Sequence, residues 1–351
     1  MLHRLKNWFR SAASASAVDK SSAAVDSDYA RRLAQESSRF EKEIDVNALP
    51  PIFHYWSNKY LRPILESFGF SNPDQFYARH IADRAAAGRP LRVLSIGAGN
   101  CDTELRIAQC LRDWGVDGWH VTCLDLVPAM LERGREMVAK AGFGAQFDFQ
   151  QADFNHWNGD GCRFDVVMAN QCLHHVVELE RLFDRIPAWL AGDGTFISSD
   201  MIGRNGHQRW PEARRIVDRF WSELPENYRY NQQLRRQEDR FLDWDCSVEG
   251  FEGIRSQDIL PLLLERFGFE RFIGFGNVID PFIDRGFGWN FDAEAAWDRD
   301  FVDRVHAADE AALLSGEVKP THMMAVMRMD RGLETECWHG LTPKMALRAV
   351  D

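Results

Sequence analysis

The sequence lacks an excess of basic residues. Its 42 lysines and arginines are outnumbered by 53 aspartates and glutamates, which gives a formal net charge of -11. Because a protein that binds nucleic acid non-specifically needs a basic surface to neutralise phosphates, this balance argues against that class. We therefore expect no nucleic-acid partner.

The sequence also lacks paired cysteines. Its seven cysteines form no C-x-x-C pair and no zinc-finger spacing, and several fall in apolar stretches. This pattern is typical of buried, reduced thiols and favours a cytoplasmic protein. Asp200, His207 and either Asp243 or Asp245 could converge on an ion, but no spacing requires it, and we predict no metal.

No apolar run is long enough to cross a membrane, and no secretory signal is present. The first ten residues, MLHRLKNWFR, have an amphipathic pattern and precede a stretch rich in serine and alanine. We interpret residues 1–28 as a mobile tail. The alternative is a short helix that contacts a membrane surface or a partner.

The most informative segment that is present is LRVLSIGAGN, at residues 91–100. It predicts a buried strand, a glycine turn and the start of a helix, because Gly97 and Gly99 allow a sharp bend and a close approach to a ligand. A dinucleotide site would have a third glycine where Asp102 stands. Asp102 and Glu104 would repel a diphosphate, but not the amine and sulfonium of S-adenosyl-L-methionine (SAM).

Polar residues also end the next apolar strands. Asp125 closes the run at 119–126, Asp153 follows 145–152, and Asn170 follows 164–169. Open α/β sheets bind ligands at the carboxyl ends of their strands. The alternation of strands and helices predicts parallel strands with right-handed crossovers.

Four segments, VLSIGAGN, CLDLVPAML, QQADFNHW and FDVVMANQCLHHV, resemble the motif series of class I SAM-dependent methyltransferases. The resemblance covers residues 91–199 and, more loosely, 255–329. It implies an α/β fold with a doubly wound, mostly parallel sheet whose last strand is antiparallel. The family usually has an acid at the position of Ser95 and often a glycine at the position of Cys101.

The resemblance also implies SAM as the cofactor and assigns its contacts. The methionine part would lie against Ser95, Gly97, Ala98, Gly99, Asn170 and Gln171. The ribose and adenine would lie against Asp125, Leu126, Asp153 and Phe154.

We divide the chain into six parts. They are the mobile tail (1–28), a helical cap or lid (29–90), the SAM-binding core (91–200), an acceptor-recognition insert (201–254), the end of the core sheet (255–330) and a C-terminal tail (331–351). An inserted loop at 279–320 predicts either a second acceptor-side loop or an oligomer contact. The aromatic segment LPPIFHYWSNKYLRP predicts either core packing or a lid over the acceptor.

If the acceptor is a hydroxyl group, a base near neutral pKa is useful. His207, just beyond the strand that ends in Asp200, is the first candidate, and His174 and His175 are the other two. Our candidate acceptor-binding residues are polar or aromatic groups of the cap and the insert: Tyr55, Trp56, Arg204, Arg209, Tyr228 and Tyr230. The two arginines would bind an acidic group of the acceptor or lie on the surface.

The sequence therefore predicts a cytoplasmic SAM-dependent methyltransferase with a small or medium-sized acceptor. A hydroxyl of a saccharide or secondary metabolite is favoured, and N- or C-methylation stays open. The alternatives are an NAD-binding oxidoreductase and a non-catalytic SAM-binding protein, and a homo-oligomer is also open.

Overall fold

The structure is a computed structural model, and it describes residues 28–40, 48–85, 89–159, 161–248 and 250–348. The sequence prediction for the amphipathic N-terminal segment lies outside these residues. Residue 28, which we assigned to the tail, is helical.

An eight-stranded sheet forms the centre of the molecule, in the order β10-β8-β9-β5-β4-β1-β2-β3. All neighbouring strands pair in parallel except β9, which is antiparallel to both β5 and β8. This confirms the predicted fold class. The strands are β1 (Leu91–Ile96), β2 (Trp119–Asp125), β3 (Phe147–Gln151), β4 (Phe164–Asn170), β5 (Leu190–Met201), β8 (Gly268–Phe275), β9 (His322–Arg328) and β10 (Glu336–Cys337). A separate hairpin in the insert pairs β6 (Tyr230–Asn231) with β7 (Arg236–Gln237).

Helices flank the sheet, and the first described helix, α1, covers residues 28–40. The others are α2 (Pro51–Trp56), α3 (Arg62–Ser67), α4 (Pro73–Ala82), α5 (Asp102–Asp113), α6 (Pro128–Lys140), α7 (Leu179–Trp189), α8 (Pro211–Glu223), α9 (Ser256–Arg266), α10 (Asp280–Ile283) and α11 (Ala296–Ser315). A π-helical turn at Ser57–Leu61 joins α2 to α3. Local signals set several boundaries: the Asn72 side chain accepts from the Gln75 amide at the start of α4, and Gly316, at φ 77°, ends α11.

Three apolar cores hold these elements together. One packs α4, α5 and α6 on one face of the sheet, and a second packs α7 and α9 on the other. A third core joins α2 with α8, α10 and α11. The N-terminal cap is therefore divided, since Trp56 belongs to the third core and Tyr77 to the first.

The structure differs from the sequence prediction at residues 279–320, where it has a 20-residue helix, α11, rather than a long loop. Phe301, Val305 and Leu313 of this helix are buried in the third core. Asp298 and Asp309 are buried on the same helix, and these acids interrupt the apolar periodicity by which a helix is recognised in a sequence.

No helix in the described parts of the chain combines the length and the apolar character needed to span a membrane.

Candidate functional site

The glycine turn after β1 has the backbone that its sequence predicts. Gly97 and Gly99 have φ values of 65° and 54°. A Cβ at Gly97 would lie 2.5 Å from Cβ of Cys172, in the turn that follows β4. The first glycine is therefore required by the close packing of two turns at the carboxyl edge of the sheet.

A buried carboxyl group lies beside Ser95. The Ser95 hydroxyl donates to Oε1 of Glu104 over 2.5 Å, and Glu104 is 3% exposed. Burial raises the pKa of Glu104 to about 7. A carboxyl group from the first turn of α5 therefore lies against Ser95, the position at which the resemblance led us to expect an acid.

Asp125 connects the end of β2 to the glycine turn. Its Oδ2 accepts from the Gly99 amide and its Oδ1 from the Val127 amide, both over 2.8 Å. The side chain is buried, and this burial raises its pKa. Each carboxylate oxygen has more than one acceptor site, so both oxygens retain capacity for ribose hydroxyls.

The predicted adenine end meets helix α1. Oδ2 of Asp153 accepts from the Tyr29 hydroxyl over 2.7 Å and lies 2.7 Å from Nδ1 of His156. Leu126 and Phe154 are half-buried nearby in sequence. Tyr29 was not among the residues that we selected from the sequence.

Helix α1 also reaches the insert and α6. Arg32 donates to the Gly250 carbonyl over 2.8 Å, and the Phe251 amide donates to Glu36 over 3.3 Å. At the end of the helix, Arg133 donates to the Phe40 carbonyl over 3.1 Å. Helix α1 thus lies across the carboxyl ends of the strands, between the core and the insert.

The end of β4 carries the predicted methionine-side residues. Asn170 donates to the Thr103 hydroxyl over 3.2 Å and accepts from the Tyr77 hydroxyl over 3.3 Å. Gln171 has φ 52° and lies 3.5 Å from the Ser199 hydroxyl. These contacts join the ends of β4 and β5 to the start of α5.

The four residues that we proposed for catalysis lie together, around a fifth that the sequence analysis missed, Glu252. Nδ1 of His174 lies 2.6 Å from Asp200. Oε1 of Glu252 lies 3.4 Å from Nε2 of His174 and 2.9 Å from Nε2 of His207. Nε2 of His175 lies 3.9 Å from the other oxygen of Glu252. The catalytic roles of these residues stay predictions.

Asp200 fixes the turn that carries the first two histidines. Its Oδ2 accepts from the amides of Cys172 and Leu173 over 2.9 and 2.7 Å. Asp200 is fully buried at the end of β5, and the turn Leu173–His175 directly follows β4. Because parallel strands end at the same edge, a carboxylate on one strand can cap the turn after its neighbour.

The charges of this group depend on one another. Burial would lower the pKa of His174, but Asp200 and Glu252 outweigh it and raise that pKa to about 10. Burial would raise the pKa of Glu252, but His175, His174 and His207 hold it well below its ordinary value. Burial lowers the pKa of His207. A buried imidazolium, the buried carboxylate of Asp200, the half-buried carboxylate of Glu252 and a neutral imidazole therefore meet at one point near neutral pH.

Residues 93–194 match the family model of a methyltransferase domain. The chain therefore carries a methyltransferase domain. The match spans the glycine turn, Asp125, Asp153, Asn170 and the two adjacent histidines. The groups around the turn fit SAM, because the buried carboxyl groups of Asp125 and Glu104 can accept hydrogen bonds from ribose hydroxyls and from an amine.

Solved structures with a similar fold include several methyltransferases. One is a putative sarcosine dimethylglycine methyltransferase from Galdieria sulphuraria, which is 14% identical over 80% of this chain and 97% of that one, with a TM-score of 0.45. A second is a SAM-dependent methyltransferase from Mesorhizobium loti, which is 15% identical over 73% of this chain and 97% of that one, with a TM-score of 0.40. A third is a geranyl diphosphate C-methyltransferase from Streptomyces coelicolor A3(2), which is 10% identical over 85% of this chain and 98% of that one, with a TM-score of 0.44. No curated protein matches the sequence. Similarity of this degree bears on neither the acceptor nor the methylated atom.

The cap residues that we selected for acceptor binding contact α11. The Tyr55 hydroxyl donates to Asp303 over 3.0 Å, and Nε1 of Trp56 donates to Nδ1 of His306 over 3.2 Å. Trp56 is buried. Tyr55 and Trp56 therefore pack with the third core and donate to α11 rather than to the histidines around Glu252.

The selected residues of the insert divide into two groups. The Tyr228 hydroxyl donates to Asp298 of α11 over 2.7 Å, and Tyr230 is exposed on β6. Arg204 lies over the ring of Trp210 and donates to the Arg209 carbonyl. The acceptor-binding roles of Tyr228, Tyr230 and Arg204 stay predictions.

Arg209 contacts the backbone of the loop that carries His207. Its Nη1 donates to the His207 carbonyl over 2.8 Å, and its Nη2 donates to Asp280 over 3.1 Å. Arg209 is 6% exposed, so this arginine is committed to buried partners and its contacts support the loop that carries His207.

Glu252, Glu36 and Tyr29 complete the site, and the sequence analysis selected none of them. Gly250 and Gly253 flank Glu252 closely, and both have positive φ values. That pair of glycines is the one sequence signal of a constrained loop here.

Proposed function

We propose that this methyltransferase transfers the methyl group of SAM to a hydroxyl group of a small or medium-sized acceptor, such as a saccharide or a secondary metabolite. One observation carries the proposal: His174, His207 and Asp200 converge with Glu252 at the carboxyl edge of the sheet, beside the predicted methionine end of the cofactor site. A hydroxyl acceptor must lose its proton during methyl transfer and therefore needs a proton acceptor nearby. The methyl group of the sulfonium needs only to be aligned with the attacking oxygen.

In this mechanism SAM supplies the activated methyl group. Asp125 binds the ribose hydroxyls, and Glu104 offers a carboxyl group to the methionine amine. Hydrogen bonds from both acids orient the cofactor. Because Asp125 and Glu104 are buried, water is excluded from the part of the site that they line.

His207 is the proposed proton acceptor. In its neutral form, Nε2–H donates to Glu252 over 2.9 Å, which leaves the Nδ1 lone pair to accept the hydroxyl proton. The lowered pKa of His207, due first to burial, supports a neutral ring near pH 7. Glu252 then orients the ring and stabilises the imidazolium that forms.

A small acceptor is favoured because the site is covered. Helix α1 and the insert both lie over the carboxyl edge of the sheet, through Arg32 and Glu36. The side chains of His207 and Glu252 are only 19% and 22% exposed. We place the reaction in the cytoplasm, which the seven free cysteines support.

The first experiment is calorimetric titration of the protein with SAM, S-adenosylhomocysteine and NAD. We expect binding of the first two and none of NAD. Asp125→Ala should weaken SAM binding by about 1–3 kcal/mol, because ribose hydrogen bonds are lost. The control is Asp148→Ala, an exposed acid on β3 that should bind SAM normally. Unchanged SAM affinity in Asp125→Ala would refute the assignment of the ribose site.

The acceptor is then sought by incubating labelled SAM with panels of hydroxyl, amine and carbon acceptors. Methylation of hydroxyl compounds supports the proposal, whereas methylation confined to amine or carbon acceptors refutes the hydroxyl assignment.

A further inference from the structure

We propose that His174, His207 and Glu252 form a binding site for one divalent transition-metal ion, Zn²⁺ or Fe²⁺. One ring nitrogen of each histidine and an oxygen of Glu252 all lie within 4.8 Å of one another. Two imidazoles and one carboxylate are a ligand set that proteins use for both ions. The inference reverses our sequence prediction that the protein binds no metal.

The separations of the ligand atoms suit a first-row ion. Oε1 of Glu252 lies 2.9 Å from Nε2 of His207 and 3.4 Å from Nε2 of His174. Ligand atoms about 2.1 Å from an ion are about 3.0 Å apart at octahedral angles and about 3.4 Å apart at tetrahedral angles. Both distances from Glu252 therefore match those between two ligands of one ion, and the ligand nitrogens of the two histidines lie within 4.8 Å of each other.

The orientation of His174 is set by a second carboxylate. Asp200 lies 2.6 Å from Nδ1 of His174 and also accepts from the Cys172 and Leu173 amides, so Asp200 cannot rotate freely. When a metal ion displaces the Nε2 proton of His174, the N–H at Nδ1 keeps donating to Asp200 and the Nε2 lone pair is directed at the ion. Carboxylate–histidine–metal arrangements of this kind are the usual support of a histidine ligand.

The three ligands come from loops that are joined by backbone hydrogen bonds. The Gly206 amide donates to the Gly253 carbonyl over 2.9 Å, and the Ile254 amide donates to the His174 carbonyl over 3.1 Å. His207 also has φ 54°, an unfavourable backbone conformation for a histidine. The loops thus hold the ligand atoms together before an ion arrives, which is the property of a preorganised site.

The site has open positions for a ligand from outside the protein, because three protein ligands fill only part of the shell of either ion. A hydroxyl bound to the ion would become more acidic. In that case His207 is a metal ligand rather than the proton acceptor, and the ion activates the acceptor hydroxyl in its place. This last step depends on the proposed function, but the binding site itself does not.

The test uses the untagged full-length protein. Its metal content is measured by mass spectrometry, the ion is removed with a chelator, and Zn²⁺ and Co²⁺ are titrated by calorimetry and visible absorption. We expect one ion per chain and Co²⁺ bands typical of histidine ligands. Glu252→Gln and His207→Gln should each weaken Zn²⁺ binding at least about 100-fold, and Asp200→Asn about 10–100-fold.

The matched control is His120→Gln, since His120 also pairs with a carboxylate, Asp148, but on the surface. It should bind Zn²⁺ like the wild type. Circular dichroism checks that each variant folds. If Asp200→Asn does not fold, Glu252→Gln and His207→Gln still test the site. The proposal is overturned if wild type and His207→Gln bind Zn²⁺ and Co²⁺ equally, or if wild type binds neither.

Chelation also separates the site from the proposed reaction. If the ion binds and its removal stops methyl transfer while SAM still binds, both proposals gain support. If the ion binds as expected but methyl transfer to hydroxyl compounds is absent or insensitive to chelation, the site stands and its role in activating the acceptor is refuted.

Discussion

Two buried polar clusters meet at the loop of residues 207–209, and they are built in opposite ways. The histidine cluster comprises His174, His207, Glu252 and Asp200. The arginine cluster comprises Arg209, Asp280, Asp309, Thr321 and His322. They are adjacent, because Arg209 donates to the His207 carbonyl.

The arginine cluster is organised around one carboxylate. Asp280 accepts from Arg209 over 3.1 Å and from the Thr321 hydroxyl over 2.7 Å, and it lies 3.5 Å from Nε2 of His322. Each of these groups either donates permanently or can do so when protonated. In the histidine cluster, by contrast, ring nitrogens and a carboxylate oxygen point at one another, and their contacts need protons or a cation between them. The carboxylate of the first cluster is satisfied by donors from the protein, whereas the second cluster can hold either protons or a cation between its ligand atoms.

The largest expected effect distinguishes the two clusters by activity. His207→Ala should lower methyl transfer by about 100-fold or more, because the proposed base or metal ligand is lost. His322→Ala should change turnover only a few-fold, since His322 contacts Asp280 and stacks on Phe275. Initial rates at saturating SAM test this, with SAM affinity as the control. Equal losses in both variants would remove the functional distinction.

The next effect concerns stability. Asp200→Ala should destabilise the protein by about 3–5 kcal/mol, because it leaves a buried histidine unpaired together with the Cys172 and Leu173 amides. Urea unfolding measures the change. A loss below about 1 kcal/mol would show that the turn after β4 does not depend on this carboxylate.

The arginine cluster contains one acid that opposes folding at high pH. Burial and the neighbouring Asp280 raise the pKa of Asp309 from its ordinary value of 3.8 to about 8. The folded state therefore retains a proton that the unfolded state releases, and stability falls as the pH rises through this window. Asp309→Asn keeps an acceptor for the Val278 amide and should stabilise the protein.

The gain from Asp309→Asn should grow by up to about 1.4 kcal/mol per pH unit across that window. Urea unfolding at about pH 5.5 and about pH 8.5 measures it. A gain that is equal at both pH values would mean that Asp309 titrates normally in the folded protein.

The smallest effect lies outside both clusters. Tyr29→Phe removes the hydrogen bond to Asp153 while keeping the ring, so unfolding free energy should fall by about 1 kcal/mol or less. A larger loss would show that α1 contributes more to folding than its few polar contacts suggest.

The sequence predicted one of these clusters well and the other hardly at all. His174 and Asp200 were identified because one follows β4 and the other lies at the end of β5, where parallel sheets place their ligands. Glu252 was missed because it lies in an irregular loop, whose position no periodicity determines. The role of Arg209 depends on Asp280 and Thr321, which are 41 residues apart in the sequence and meet only in the folded protein.

The third core shows the same limit. Tyr55 and Trp56 were recognised as unusual aromatic residues, but their contacts with Asp303 and His306 depend on α11. That helix was itself predicted as a loop. A misassigned element therefore also conceals the partners of the residues that a sequence singles out.

The hydrogen bonds that join the loops at Gly206, Gly253 and His174 limit how this enzyme can be redesigned. An engineer who exchanged residues 201–254 for the insert of another methyltransferase would remove His207 and Glu252 together with the proposed acceptor surface. Under the proposed function, the means of recognising an acceptor and the means of activating it are carried by the same segment, and they would be inherited or lost as a unit.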